Sequence, residues 1–200
     1  MDTKEAYYRA LFQAVTTINS TVDTHELLTA IAASTAQALG AKGCSLMLLS
    51  SDRRELYHTA AYGLSGWYVR KGPLSVDLSM VDALMGRPMT VWDAGTDPRV
   101  QYREQAVREG ITSILSVPLF LRGEVIGVVR VYTLEPREFR SEDIEFVEAI
   151  ANLGAIAMEN AQRYQEVKGK YAEARQDLLD LYARWHEERS PEVLVGGEVG

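Results

Sequence analysis

Cysteine is nearly absent from this 200-residue chain, and the single one, Cys44, excludes an internal disulfide and a cysteine-based metal site. That usage suits a reducing compartment. Basic runs are missing too. The 21 Lys and Arg face 28 Asp and Glu, for a net charge of -7, which argues against a nucleic-acid partner. Long apolar runs are lacking: the most apolar stretch, residues 125–131, is far too short to span a bilayer and contains Arg130. The N-terminus, M-D-T-K-E-A-Y-Y, has no apolar signal region. A cytoplasmic protein with no membrane and no nucleic-acid partner is therefore expected. Nor does the sequence contain G-x-S-x-G, H-E-x-x-H or G-x-x-x-x-G-K-[ST], so no catalytic constellation is expected.

What is present alternates between helical and strand periods. Residues 4–20 read as a helix with Tyr8, Leu11, Val15 and Ile18 on one face and Phe12 beside them. Asp23 and Thr24 are N-cap types that open a second helix, which Gly40 ends. Residues 43–50 and 55–62 read as a hairpin around Asp52-Arg53-Arg54. A glycine-punctuated loop then holds Trp67 and Tyr68. Ser79 begins a short helix that stops by Gly86, residues 88–92 make an edge strand, and residues 100–109 form a helix stopped by Gly110. Residues 112–121 and 124–133 are the clearest strand pair, turning at Arg122-Gly123. Ser141 caps a final helix that runs to about residue 188, and residues 190–200 read as a frayed tail. Hairpins with helical insertions indicate an α+β fold built on a mostly antiparallel sheet.

The final helix carries an unbroken a/d stripe: Tyr164, Val167, Tyr171, Ala174, Leu178, Leu181 and Trp185. The same register runs back through Ile150, Leu153, Ala157 and Asn160, while Ile144, Val147, Ala151, Ala155 and Met158 form a second face that can cover the sheet. Two apolar faces need two partners. The second is either a helix of another chain or residues 4–20, and both together would make a four-helix bundle in a dimer. Arg163, Lys168, Lys170 and Arg175 would set like charges across a plain parallel two-stranded coil.

The order of elements and several segments together resemble the GAF family over about residues 22–162. They are D-T-H-E-L-L-T-A-I, G-C-S-L-M-L-L before A-A-Y-G-L, V-W-D-A-G-T-D-P-R, S-I-L-S-V-P-L-F-L-R-G-E-V-I-G-V-V-R-V-Y, and F-R-S-E-D-I-E-F-V-E-A-I-A. The resemblance implies a regulatory module with a six-stranded antiparallel sheet and helices on both sides, extended here by long terminal helices. Family members bind cyclic nucleotides, tetrapyrroles, haem, formate, amino acids or other small molecules. Covalent bilin attachment is not expected, because Cys44 lies in an early strand and is followed by Ser45. No haem ligand is expected from His25, His58 or His186, and no metal site. Members that reduce free methionine sulfoxide use several cysteines. The cyclic-nucleotide signature, Phe, three residues, Asp-Glu, is met by Phe139 and Asp143 but broken by Ile144.

Ligand candidates follow from placement. Arg130 shares a strand face with Ile126, Val128 and Tyr132, where it either binds an anion or forms a structural pair with an acid or snorkels to solvent. Ser113 and Ser116 lie on opposite faces of the neighbouring strand. Trp67, Tyr68, Trp92 and Tyr102 either roof a ligand or form the small core under the roof. Asp93, with Asp97 and Arg99, either bonds a ligand or shapes the loop around Pro98. His58 reads as surface or packing. The expected organisation is a helix over residues 1–21, the GAF domain over 22–162, a coiled-coil-like helix over 163–189 and the tail over 190–200. The expected function is non-catalytic sensing of a small molecule. The protein would form a homodimer through Leu11, Val15, Ile18, Ile150, Leu153, Ala157, Tyr164, Val167, Tyr171, Leu178, Leu181 and Trp185, and act on a signalling partner in trans. The alternatives are a ligand-free scaffold for oligomerisation or docking and, less favoured, an enzyme acting on a small molecule.

Overall fold

A computed structural model describes residues 3–20, 23–76 and 81–188. The start of the helix expected at Ser79 and the tail over 190–200 lie outside the described residues, as does the side chain of His186. Two compact units are resolved, Met1–Ala161 and Gln162–Gly200.

In the first unit, α1 (Thr3–Ser20) and α2 (Thr24–Ala38) precede the hairpin β1 (Gly43–Leu49) and β2 (Glu55–Tyr62). The short helix α3 (Gly66–Val69), the two-residue strand β3 (Leu74–Ser75) and α4 (Val81–Leu84) follow. Then come β4 (Met89–Val91), α5 (Arg103–Glu109), β5 (Ser113–Leu121), β6 (Glu124–Thr133) and α6 (Ser141–Glu188), whose last part belongs to the second unit. The sheet has six strands in the order β3-β2-β1-β6-β5-β4, with every neighbouring pair antiparallel. Local chemistry sets these boundaries. Asp23 accepts hydrogen bonds from the backbone N–H of His25 (2.8 Å) and Glu26 (3.0 Å), satisfying donors that the first turn of α2 leaves free. Arg122 and Gly123 both take positive φ, 53° and 86°, the left-handed pair of residues that a tight β5–β6 hairpin needs.

The sheet separates two cores. One is covered by α1, α2 and the first part of α6: Leu28, Ile31, Leu46, Leu115, Val117, Val129, Val131, Phe146, Val147 and Ile150 meet there. The other is capped by the short helices and loops and holds Met47, Leu56, Tyr68, Ile114, Val128 and Tyr132. α3 and β3 occupy a segment whose glycines suggest only a loop. Ser65 supplies the missing cap by accepting from Tyr68 N (3.4 Å).

The structure corrects the reading of α1. Its inward face is Tyr7, Ala10 and Ala14, with Leu11 and Ile18 partly buried, whereas Tyr8, Phe12 and Val15 point outward. Tyr7 stacks on Phe146 with ring centroids 4.2 Å apart, and its hydroxyl donates to Asp143. A second correction follows. Ile150 and Ala157, expected to face another chain, are buried in their own chain's core, and Leu153 packs partly against it. The second partner of the first part of α6 is therefore supplied internally, by α1.

Gly127 marks a close approach of β6 to β1. A Cβ there would stand 2.1 Å from the Met47 carbonyl oxygen and 3.1 Å from Leu48 Cα, both backbone atoms of the paired strand. Gly127→Ala should cost about 2 kcal/mol or more. Urea unfolding checks this, and an unchanged midpoint would contradict the tight β1–β6 contact.

Candidate ligand site on the second face of the sheet

Alternation along β6 turns Val128 and Tyr132 to the second core and Val129 and Val131 to the first. Arg130 lies between Val128 and Tyr132 in this alternation and is paired laterally with Ser45 of β1 and Ser116 of β5. Over this face fold α3 and the loop after it. The Tyr68 ring meets Tyr132 edge-on at 6.1 Å and Trp67 at 6.0 Å. Tyr132 is fully buried, and its hydroxyl lies 3.0 Å from Ser45 Oγ. Tyr102 is half-buried and donates to the Pro73 carbonyl (3.0 Å).

Arg130 is only 4% exposed. Its Nε donates to Ser116 Oγ at 3.1 Å, and its guanidinium carbon lies 5.6 Å from the centre of the Tyr132 ring. Among the described residues it has no acidic partner. It neither snorkels to solvent nor forms the internal salt bridge weighed from the sequence.

A second cation shares this neighbourhood, and no periodicity in the sequence points to it. Lys71 Nζ stands 3.8 Å from the centre of the Tyr68 ring, 5.6 Å from that of Tyr102 and 3.1 Å from His58 Nε2, and donates to the Tyr68 carbonyl (3.2 Å). The ring face and the carbonyl favour an ammonium. Burial and then the charge of Arg130 oppose it, against help from Glu109, and push Lys71 down to about 7. The same causes act on His58. Burial first, then Lys71 and Arg130, lower it to about 3, so the imidazole is neutral near neutral pH. His58 is thus packed against Lys71, the second of the two readings its strand position allowed, and its Nδ1 is buried with no hydrogen-bond partner among the described residues. Glu109 is committed elsewhere: it accepts from Ser65 N (2.8 Å) and Ser65 Oγ and pairs with Lys42 at 3.3 Å.

The remaining sequence candidates divide. Ser116 and Tyr132 lie against Arg130, and Tyr68 and Tyr102 against Lys71. Trp67 touches Tyr68, but the cation over its ring is Arg108, at 4.5 Å. Trp92 does not: it is 58% exposed, because the β4 end turns it outward. Asp93 accepts from Gly95 N and Thr96 Oγ1, both at 2.9 Å, and so shapes its loop. Asp97 and Arg99 pair with each other at 2.6 Å. Ser113 donates to the Trp92 carbonyl (2.5 Å) and accepts from Arg137 N (2.9 Å), which closes the loop after β6. Phe139 and Asp143 are also structural. Phe139 lies in the first core, and Asp143 accepts from Tyr7, from Arg137 (3.2 Å) and from Arg140 N (3.1 Å). Cys44 is fully buried in the first core, and burial pushes its thiol far up, so the unreactive neutral form dominates.

The GAF domain family model matches residues 23–158. The chain belongs to the GAF domain family. Among curated proteins, this GAF chain is 29% identical over 132 residues to the methyl sulfide methyltransferase-associated sensor of Methanosarcina acetivorans. That match takes in 62% of the chain but spans only 13% of the relative. The GAF domain of a phosphoenolpyruvate-protein phosphotransferase from Coxiella burnetii shares the fold, with a TM-score of 0.71, 22% identity, and coverage of 81% of this chain and 98% of that one. So does the free methionine-R-sulfoxide reductase of Neisseria meningitidis, solved with its substrate, with a TM-score of 0.68 and 19% identity over 82% and 95% of the two chains. At such identities the solved structures speak for the fold alone. Family and relative together make this a sensing or signalling type of domain. Among the described residues no helix is long and apolar enough to cross a membrane.

The depressed pKa values carry a sign. Lys71 and His58 bind protons more weakly folded than unfolded, so stability rises with pH across both titration windows. For Lys71 the window runs from about 7 to its ordinary 10.5, and for His58 from about 3 to its ordinary 6.5. In urea unfolding followed against pH, Lys71→Met should flatten the rise above neutrality and leave the acid limb, which His58→Asn should flatten instead. Curves parallel to wild type in both windows would contradict the burial of these two groups.

Proposed function

We propose that this GAF domain is a non-catalytic sensor of a small molecule, which it holds on the second face of the sheet around Arg130. The observation that carries this reading is Arg130 itself. A guanidinium buried to 4% exposure is given one hydrogen bond, to Ser116, and no carboxylate among the described residues. A buried charge without a partner is costly, and such cost is characteristic of functional sites. An internal acid would have favoured the scaffold reading, and none is found among the described residues. Against an enzyme stand the inert Cys44 and the sensor relative.

Output fits a homodimer addressing a signalling partner. In the second unit, Tyr164, Val167, Tyr171, Leu178, Leu181 and Trp185 are all exposed, an apolar stripe at a/d spacing along a helix. In the first unit, Tyr8, Phe12 and Val15 of α1 are exposed as well. A cytoplasmic setting suits the single reduced cysteine.

Two measurements test this. Native mass spectrometry with denaturing extraction should recover a small molecule in stoichiometric amount from freshly purified protein, and Arg130→Gln should lose it. Protein that is empty from every source, and binds nothing offered, would leave the scaffold. Separately, Leu178→Glu with Leu181→Glu should shift the sedimenting species from dimer to monomer while the sensor stays folded by circular dichroism. An unchanged dimer would sink the pairing role of the stripe.

A further inference from the structure

The charges around the site do not balance among the described residues. Arg130 comes from β6 and Lys71 from the loop after α3, and each is close enough for its charge to act on His58 of β2. The other groups facing Lys71 are the rings of Tyr68 and Tyr102 and, at longer range, the carboxylate of Glu109 on α5. Glu109 already serves Lys42 and Ser65. The Nε of Arg130 is taken by Ser116, which leaves the terminal amino groups of the guanidinium as free donors among the described residues. Those donors and the Lys71 ammonium flank one pair of rings, Tyr68 against Tyr132. Charge-assisted hydrogen bonds from such donors are strongest to carboxylate or phosphate oxygens. A neutral ligand would leave Arg130 uncompensated and Lys71 only partly protonated, and a cationic one would add to the positive charge.

We propose that Arg130 and Lys71 together hold the acid group of a small carboxylate or phosphate ligand, beside the ring of Tyr68. This rests on the sensor reading above and names the ligand's class. It also assigns Lys71 and His58 to the site. An anion seated there stabilises the ammonium of Lys71, so binding draws in a proton at neutral pH and weakens as the solution is made alkaline. Neutral His58 supplies a lone pair to Lys71, which fixes the direction of that ammonium.

Isothermal titration calorimetry with pyruvate, succinate and inorganic phosphate tests the proposal. The titrations are run near neutral pH in two buffers of different ionisation heat. At least one probe should bind the wild-type protein with net proton uptake, and the carboxylate and phosphate arms tell the two acid groups apart. Lys71→Met should bind that probe roughly tenfold more weakly and without proton uptake, and Arg130→Gln should not bind it. If either variant fails to fold, the wild-type affinity followed from neutral to alkaline pH serves instead, and it should fall. No binding by any of the three probes overturns the proposal, as does binding with the same affinity and proton count in wild type and Lys71→Met. Recovery of a neutral or cationic compound from the native protein would overturn it as well, while leaving the sensor reading in place.

Discussion

Strand β6 is hydrogen-bonded along both edges and covered on both faces, and the rest of the molecule is arranged around that fact. No position along its central length can face water, so the alternation of side chains assigns each residue to one of two interiors. Val129 and Val131 enter the interior built by the long helices, which is apolar and densely filled. Val128, Arg130 and Tyr132 belong to the other, roofed by short helices and loops. The one charge in the middle of this strand falls on the second side, where Ser116 of the neighbouring strand accepts from Arg130 and the Tyr132 ring lies beside it. At Gly127 the backbone of β1 stands where a side chain would otherwise begin.

The helical side is fastened through one carboxylate. Asp143, in the first turn of α6, gathers Tyr7 from α1 and Arg137 from the preceding loop. Arg137 in turn donates to the carbonyl of Leu39 at the end of α2, where a cation also suits the negative end of the helix dipole. Three helices therefore meet at a buried, charge-assisted cluster. The Phe-and-Asp spacing that elsewhere in the family accompanies nucleotide recognition is used here for architecture.

Much of this was legible in the amino-acid order. Asp23 announces the start of α2, the residues Arg122-Gly123 announce the tight hairpin, and period-two patterning around Arg130 identifies a charge that must be explained. The family resemblance supplied the sheet. Other features were hidden for definite reasons. Lys71 sits in R-K-G-P, a stretch with no periodicity, and reaches the site only because α3 folds back over β2. His58 looks like an outward residue of a hairpin strand until that roof descends. In α1 two adjacent tyrosines both fit a helical stripe, and the larger residues Tyr8, Phe12 and Val15 outweigh Ala10 and Ala14 in any count of apolar bulk. The small residues won because they allow close packing and because the Tyr7 hydroxyl has Asp143 to meet. Heptad spacing tells that a helix face wants a partner but not whose. For Ile150 and Ala157 the partner lies in the same chain.

Cys44 has a practical consequence. Its thiol is enclosed in the helical interior and held in its neutral form, so it is silent towards alkylating and disulfide-forming reagents while the fold is intact. No other thiol exists in the chain. The protein thus offers a blank background for chemistry directed at sulfur. A fluorophore or spin label placed through one new surface cysteine would report from that point only, without first removing a native residue from the core.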